Sequence, residues 1–395
     1  MSTDVYLDYG TASPLHPAAR EALLASVDAF GDPLRLHSSG RRSREVLEDA
    51  RQQIADGLSA QSDEIVLTSG GTESVALALR GVAEASREDG LRMVVGAVEH
   101  PCVLGAAAAL ERDGFEVTKV PVDEFGRVDL DKFAAEIRRP GTILASVQHA
   151  NQEVGTLQPV AEAARLSHEA RVAFHTDACQ TAGRLPIDVV ALEPDLLSIS
   201  GHKFGGPPGI GALYVRRGTP LAGYPPGDDR ERRRRSGMEN VSGAAAMAAA
   251  FAASLAELRD QAARHWALTD RLRAGIGEIE DAVLHGHPTQ RAPHLVCFSL
   301  PDLDPEVVLM ALGDRGFQLG GGSVASGIAH EPSPVLAAMG VRGVAPVRIG
   351  VGPDTASEDV QRLLEVLPAL VLELRRMENA SSETLSRLRR PDSSR

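Results

Sequence analysis

Lys203 has the surroundings of a residue that does covalent chemistry. It stands in D-L-L-S-I-S-G-H-K-F-G-G-P-P-G-I-G-A-L-Y-V, Asp195–Val215. The apolar run Leu196–Ser200 reads as a strand that stops at Gly201-His202-Lys203, and a glycine–proline turn leads to a second strand, Ala212–Val215. A lysine at a strand end, among small residues and beside a histidine, loses its proton readily. It is suited to form a Schiff base with a carbonyl cofactor.

Other segments complete a site for pyridoxal 5′-phosphate. T-S-G-G-T-E-S (Thr68–Ser74) runs from a strand into a helix at Gly70-Gly71-Thr72, and bare backbone N–H groups at a helix start cradle a phosphate. Taken alone, it is an ordinary strand-to-helix turn. F-H-T-D-A-C-Q (Phe174–Gln180) puts Asp177 at a strand end, where a carboxylate pairs with a pyridine nitrogen and keeps the ring an electron sink. Taken alone, Asp177 reads as a helix N-cap. Gln180 is placed to donate to the ring's phenolic oxygen. V-E-H-P (Val98–Pro101) offers His100 to stack on the ring and carry a proton, although a lone histidine there is more often structural. Ser200 and His202 serve the phosphate and Lys203 the aldehyde. No segment decides the matter by itself. Their order, each at the C-terminal end of a strand, is where an open α/β sheet takes its ligand.

The elements that must position these residues alternate. Apolar, β-rich runs fall at Ile65–Thr68, Met93–Val98, Val117–Val122, Thr142–Gln148, Val172–Thr176, Leu196–Ser200 and Ala212–Val215, with helical patterns such as Arg42–Leu58 and Thr72–Ala85 between them. This order predicts an α/β domain with a mainly parallel seven-stranded sheet and helices on both faces, over residues 16–250. An alanine-rich stretch from Gly243 to Ile279 reads as one or two helices leading out of it. Residues 1–15 and 251–377 are expected to form a smaller α+β domain, with strands at His294–Leu300 and Val347–Val351 and helices at Pro305–Leu312 and Ser357–Met377. The polar segment 378–395 is expected to be a disordered tail.

Composition narrows the partners. The 395 residues carry a net charge of −13, which disfavours nucleic acid or an anionic membrane surface. The basic run Arg230–Arg235 follows Asp228-Asp229 and reads for the most part as a solvated loop. The 3 cysteines, Cys102, Cys179 and Cys297, have neither metal nor disulfide spacing, and no apolar stretch suggests a signal peptide or a membrane span. A reduced, cytoplasmic enzyme acting on a small molecule is expected.

Together these segments resemble the NifS/IscS-type cysteine desulfurases, class-V aminotransferase-like members of the fold-type I pyridoxal phosphate enzymes. The resemblance extends from Y-L-D-Y-G-T-A-S-P-L-H-P (Tyr6–Pro17) through L-H-S-S-G-R (Leu36–Arg41), A-N-Q-E-V-G (Ala150–Gly155) and R-S-G-M-E-N (Arg235–Asn240) to P-V-R-I-G-V-G (Pro346–Gly352). It implies that Lys203 carries the cofactor and is the general base at Cα, and that His100 stacks on the ring. Asp177 and Gln180 would hold the pyridine nitrogen and phenolic oxygen, and Gly71, Thr72, Ser200 and His202 the phosphate. Asn151 and Arg348 would bind the substrate carboxylate, Arg348 through a two-pronged ion pair. It also implies a homodimer and a sulfur-acceptor protein.

The chain departs from that family where the chemistry is sharpest. The loop that carries the nucleophilic cysteine reads G-S-V-A-S-G-I-A-H-E-P-S (Gly322–Ser333), so the thiol position is Ala325, or Val324 in the alternative register. Neither side chain can attack a substrate sulfur and hold it as a persulfide. The threonine expected to reach the partner's phosphate is Met238, the second asparagine of A-N-N-E is Gln152, and 228–234 is altered. Three readings stand side by side. One is a diverged lyase, aminotransferase or decarboxylase of a specialised pathway. Another is an engineered cysteine-to-alanine change at Ala325. The third is a non-catalytic scaffold or sulfur-carrier docking protein. A trap made by design would change one residue, so Met238 and the altered stretch favour divergence, and the retained Lys203, Asp177 and Arg348 speak against a scaffold. Cys179 and Cys102 read as packing residues near the ring and Cys297 as core.

Overall fold

A computed structural model describes residues 4–321, 333–341 and 345–388. In chain order its strands are β1 (Val5–Leu7), β2 (Ile65–Thr68), β3 (Arg92–Gly96), β4 (Glu116–Val120), β5 (Thr142–Ser146), β6 (Ala173–Asp177), β7 (Leu196–Ser200), β8 (Gly211–Val215), β9 (Val283–His285), β10 (Leu295–Ser299), β11 (Phe317–Gly321) and β12 (Val347–Gly350). The larger sheet has seven strands in the order β2-β8-β7-β6-β5-β3-β4. β7, β6, β5, β3 and β4 run parallel, while β8 is antiparallel to both of its neighbours.

Alternation along these short strands explains why helices cover both faces. Ile65, Leu67, Ala212 and Tyr214 point to a core built with Leu47, Ile54, Met247 and Phe251. Val66, Leu213 and Val215 point the other way, to Val75, Leu79 and Val103. Strands apolar on both faces need cover on both, which the crossover helices supply.

The smaller sheet has five strands, β1-β11-β12-β10-β9, with β1 parallel to β11 and the rest antiparallel. Helices Leu258–Gly277 and Ser357–Leu388 back it, through Leu272, Ile276, Leu363 and Leu367. The sequence does not signal β1, β9 and β11, because three-residue strands and a glycine-ended run give little periodicity.

Two expectations are corrected. Residue 251 was set as the start of the small domain, yet Phe251 belongs to the large core and the helix Val241–Ala256 continues past it. The chain turns by 70° into helix Leu258–Gly277, so Glu257 is the hinge point. The closing helix, expected to end at Met377, runs to Leu388, so the first part of the expected disordered tail is helical. Polar composition alone does not stop a helix that already has an anchored start. No single helix among the described residues is long and apolar enough to cross a membrane.

Candidate active site

The parallel strands deliver their C-terminal ends to one edge. There Asp177 closes β6, and a single 3₁₀ turn after β7, Gly201–Lys203, carries His202 and Lys203. A cavity of about 210 Å³ opens between them, lined also by Gly71, Thr72, His100 and Gln180. The sequence placed all of these residues in one site, and the fold brings them to one cavity.

Lys203 Nζ donates to the Gly10 carbonyl at 2.8 Å. Burial, then the positive charges of Arg348 and Arg184, pull its pKa from 10.5 to about 8. Gln180 Nε2 donates to the same carbonyl at 2.9 Å. A Cβ on Gly10 would lie 2.8 Å from Leu295 and 3.0 Å from Arg348 Nε, so a side chain there would displace both. Asp177 Oδ1 accepts from the Cys179 amide at 2.9 Å, closing a turn where the sequence suggested a helix N-cap, and its carboxylate also lines the cavity.

Opposite the lysine, helix Gly71–Ala85 begins at Gly70 (φ 149°) without a capping side chain. Its first N–H groups therefore have no acceptor of their own. A Cβ on Gly71 would stand 2.5 Å from Cys179 Sγ, so the start of this helix stays bare. Ser200 Oγ lies 3.0 Å from His202 Nδ1. Burial and the charges of Lys203 and Arg184 bring His202 down to about 4, leaving it neutral. A bare helix start, two hydroxyls, a primary amine and a carboxylate around one cavity fit a phosphorylated pyridine aldehyde.

His100 caps helix Pro101–Arg112. Its Nδ1 accepts from the Cys102 amide at 3.1 Å and lies 3.0 Å from Cys102 Sγ, which leaves the ring proton on Nε2. Burial holds its pKa below the usual range. The Cys102 and Cys179 thiols line the same cavity, and burial pushes both up, so neither is a ready thiolate. Cys297 is buried in β10.

The carboxylate end differs from expectation. Asn151 does not line the cavity. Its side chain is spent on the backbone, donating to Val98 O at 3.0 Å and accepting from the Glu153 and Val154 amides at 2.8 Å each. Its neighbour Gln152 does line the cavity, and both atoms of its carboxamide are buried without a partner among the described residues. Two adjacent amides in one turn face opposite ways, and only the tertiary structure tells which faces in. Arg348, on β12, donates to Gln152 O and to Asp8 Oδ1, both at 2.9 Å. Asp8 thus occupies one prong of the guanidinium, and Nε remains without a partner.

Val324 and Ala325 lie outside the described residues. The downstream end of their loop is anchored at Ser333, which caps helix Pro334–Ala338 and donates to Glu153 at 2.5 Å. Burial raises Glu153 to about 7, so it is partly protonated at neutral pH. Met238 is exposed.

The basic run also needs correction. Arg230 is buried, paired with Asp32 at 2.9 Å, Asp228 at 3.0 Å and Glu239 at 2.6 Å. Glu231 is buried against Arg51 in a two-pronged pair of 2.6 and 2.8 Å. Arg235 pairs at 2.8 Å with Glu73 in the first turn of helix Gly71–Ala85. Only Arg232 and Arg233 are exposed as expected. Asp32, Arg51 and Glu73 are distant in sequence from the residues they pair with and leave no local signature.

The pattern of the aminotransferase class-V family matches residues 5–363. A cysteine desulfurase IscS from Methanosarcina thermophila is 40% identical over 377 residues, 94% of this chain and 93% of that protein. A solved NifS-like protein superposes with a TM-score of 0.88 at 29% identity, covering 94% of this chain and all (100%) of its own. A structure described as SspA in complex with cysteine superposes with a TM-score of 0.77 at 27% identity, over 89% of this chain and 100% of that one.

Proposed function

The chain belongs to the aminotransferase class-V family, among the cysteine desulfurases, and from that membership we propose a pyridoxal 5′-phosphate enzyme acting on L-cysteine or a related β-substituted L-amino acid. The observation that carries the reading is the buried amine of Lys203, at about 8, facing the Asp177 carboxylate beside the bare start of helix Gly71–Ala85. Cysteine as the substrate class draws support from the cysteine in the SspA structure.

When bound, pyridoxal phosphate supplies an electron sink that lets a proton leave the substrate Cα. The chain supplies the rest. Lys203 would give up the Gly10 carbonyl to hold the cofactor's aldehyde and, once freed by the substrate's amine, would accept and return the Cα proton; an amine near 8 suits both tasks at neutral pH. Asp177 holds the pyridine nitrogen, and Gln180, once it releases Gly10, the phenolic oxygen. The amides of Gly71 and Thr72, with Thr72, Ser200 and His202, hold the phosphate. His100 covers the ring as a neutral imidazole. Arg348 and the free carboxamide of Gln152, in place of Asn151, bind the substrate carboxylate. Arg348 exchanges Asp8 for the substrate as it does so.

The sequence at 324 and 325 has no thiol, and the buried thiols of Cys102 and Cys179 are protonated. This favours release of the β-substituent to solvent over persulfide transfer to an acceptor protein. A homodimer is proposed, supported by the exposed apolar stretch Leu24, Val27, Phe30, Leu34 and Leu36, which needs cover. Light scattering should give twice the mass of one chain.

The deciding experiment incubates cofactor-loaded protein with a panel of L-amino acids. The assay follows the absorbance band together with alanine, sulfide, pyruvate and keto acids. Turnover of cysteine, cysteine sulfinate or another β-substituted alanine is expected. An absorbance band indifferent to every amino acid would overturn the reading. Borohydride reduction and peptide mapping should place the pyridoxyl group on Lys203, and its appearance on another lysine would reject that assignment.

A further inference from the structure

A second cavity, of about 350 Å³, lies behind Lys203 between the N-terminal segment, the turn at Phe204-Gly205 and helix Leu258–Gly277. Arg184 and His265 both line it. Arg184 is 8% exposed and spends one nitrogen, Nη2, on the carbonyls of Tyr9 and Lys203, both at 2.6 Å, and on Ser13 Oγ at 3.2 Å. Among the described residues its Nη1 is buried without a partner, and no carboxylate forms an ion pair with it. His265, 5% exposed, also has a buried, unpartnered Nε2, and the Nδ1 of the fully buried His294 is in the same condition. Burial, then the charge of Arg348, lowers Arg184 to about 9, so it remains a cation at neutral pH. Burial and neighbouring arginines keep His265 neutral.

A buried guanidinium without a counter-charge is costly, and an unpaired N–H adds to the cost. The two acids that line this cavity, Glu257 and Asp354, are both exposed and stand at its mouth, with Asp354 accepting from Tyr9 Oη at 3.3 Å. We propose that this cavity binds a small monovalent anion, held by Arg184 Nη1 and by His265 in the tautomer that carries its proton on Nε2. Arg184 and the Lys203 amine are the cations that line the cavity, and the carboxylates at its mouth repel a second anion. The anion would tie together three parts of the chain that meet there: Tyr9–Pro17, the Lys203 turn and the first helix of the small domain. Arg184 and His265 do not line the cofactor cavity, but Lys203 lines both, so the chloride response and bromide map are read separately from the cofactor assays.

Chloride is the probe. Melting of the full-length protein is followed as sodium chloride replaces sodium gluconate at constant ionic strength. Binding to the folded form alone should give a saturable rise of about 1–3 °C. In His265→Leu, which keeps every bond of Arg184, half-saturation should move up about fivefold or more. Crystals soaked in bromide should show an anomalous peak within hydrogen-bond reach of Arg184 Nη1. Coincident melting in the two salts, a bromide map without that peak, or a His265→Leu protein that responds to chloride as the parent does would each overturn the proposal. The salt comparison and the bromide map use the unmodified chain, so they decide the matter even where the variant fails to fold.

Discussion

Arg348 meets Asp8 and Gln152 O where the proposed substrate carboxylate would sit. Removing one partner of a buried, hydrogen-bonded charge pair costs about 2–5 kcal/mol. Arg348→Ala should therefore raise KM for the amino acid about thirtyfold or more while the cofactor band stays in place. Arg348→Lys should rescue poorly, because an ammonium has no fork. Gln152 separates two assignments. Gln152→Ala should raise KM about tenfold and Asn151→Asp should act mainly on stability, since the Asn151 side chain already serves three backbone groups. Steady-state kinetics beside melting curves would check both. An unchanged KM in Gln152→Ala would return the carboxylate to Asn151.

The loop residue poses its own question. The chain as it stands should form no protein-bound persulfide with L-cysteine, because Val324 and Ala325 offer no thiolate and Cys102 and Cys179 are held as thiols. Mass spectrometry after incubation checks this. In Ala325→Cys, strong sulfide release would point to a recently lost or replaced nucleophile, and its continued absence to diverged chemistry.

At the scale of elements, the phosphate-side helix is steadied from behind. Arg235 pairs with Glu73 in its first turn, and the preceding residues run through positive φ at Glu231 (46°), Arg232 (57°) and Arg233 (65°). Such backbone is held only where its surroundings over-determine it. The Arg51–Glu231 pair does this, with Glu231 also accepting from the Leu67 amide at 2.9 Å and Arg51 donating to Ile65 O at 2.9 Å. Breaking one partner leaves a buried charge, so Glu231→Gln should lose about 3 kcal/mol in denaturant unfolding. Pairing it with Arg51→Met should recover part of that loss.

The whole molecule keeps many histidines buried and neutral. His149, His175, His202, His265 and His285 are each brought by burial from 6.5 to about 4. The unfolded chain takes up protons near 6.5 and the folded chain only near 4, so the stability these rings contribute should fall as pH drops through that interval. Melting temperature followed from pH 7 downward checks this, and His175→Asn should flatten the slope. A flat profile across the interval would mean that these rings are already charged in the fold.

Sequence alone determined the alternation of strands and helices, and with it the sheet edge where Lys203, Asp177, His100 and Thr72 meet. Those signals are local, because each residue sits at the end of its own apolar run. Strands β2 and β7 have the bounds their apolar runs predicted. Tertiary structure decided everything that depends on partners far apart in the chain. It turned Gln152 into the cavity and Asn151 away from it, set Asp8 against Arg348, and buried Arg230 and Glu231 that composition would leave in water. It also left Arg184 without a counter-charge among the described residues. Hydrogen bonds and ion pairs across 150 residues or more carry no periodicity, so only the packed chain reveals which polar groups are satisfied and which still wait for a ligand.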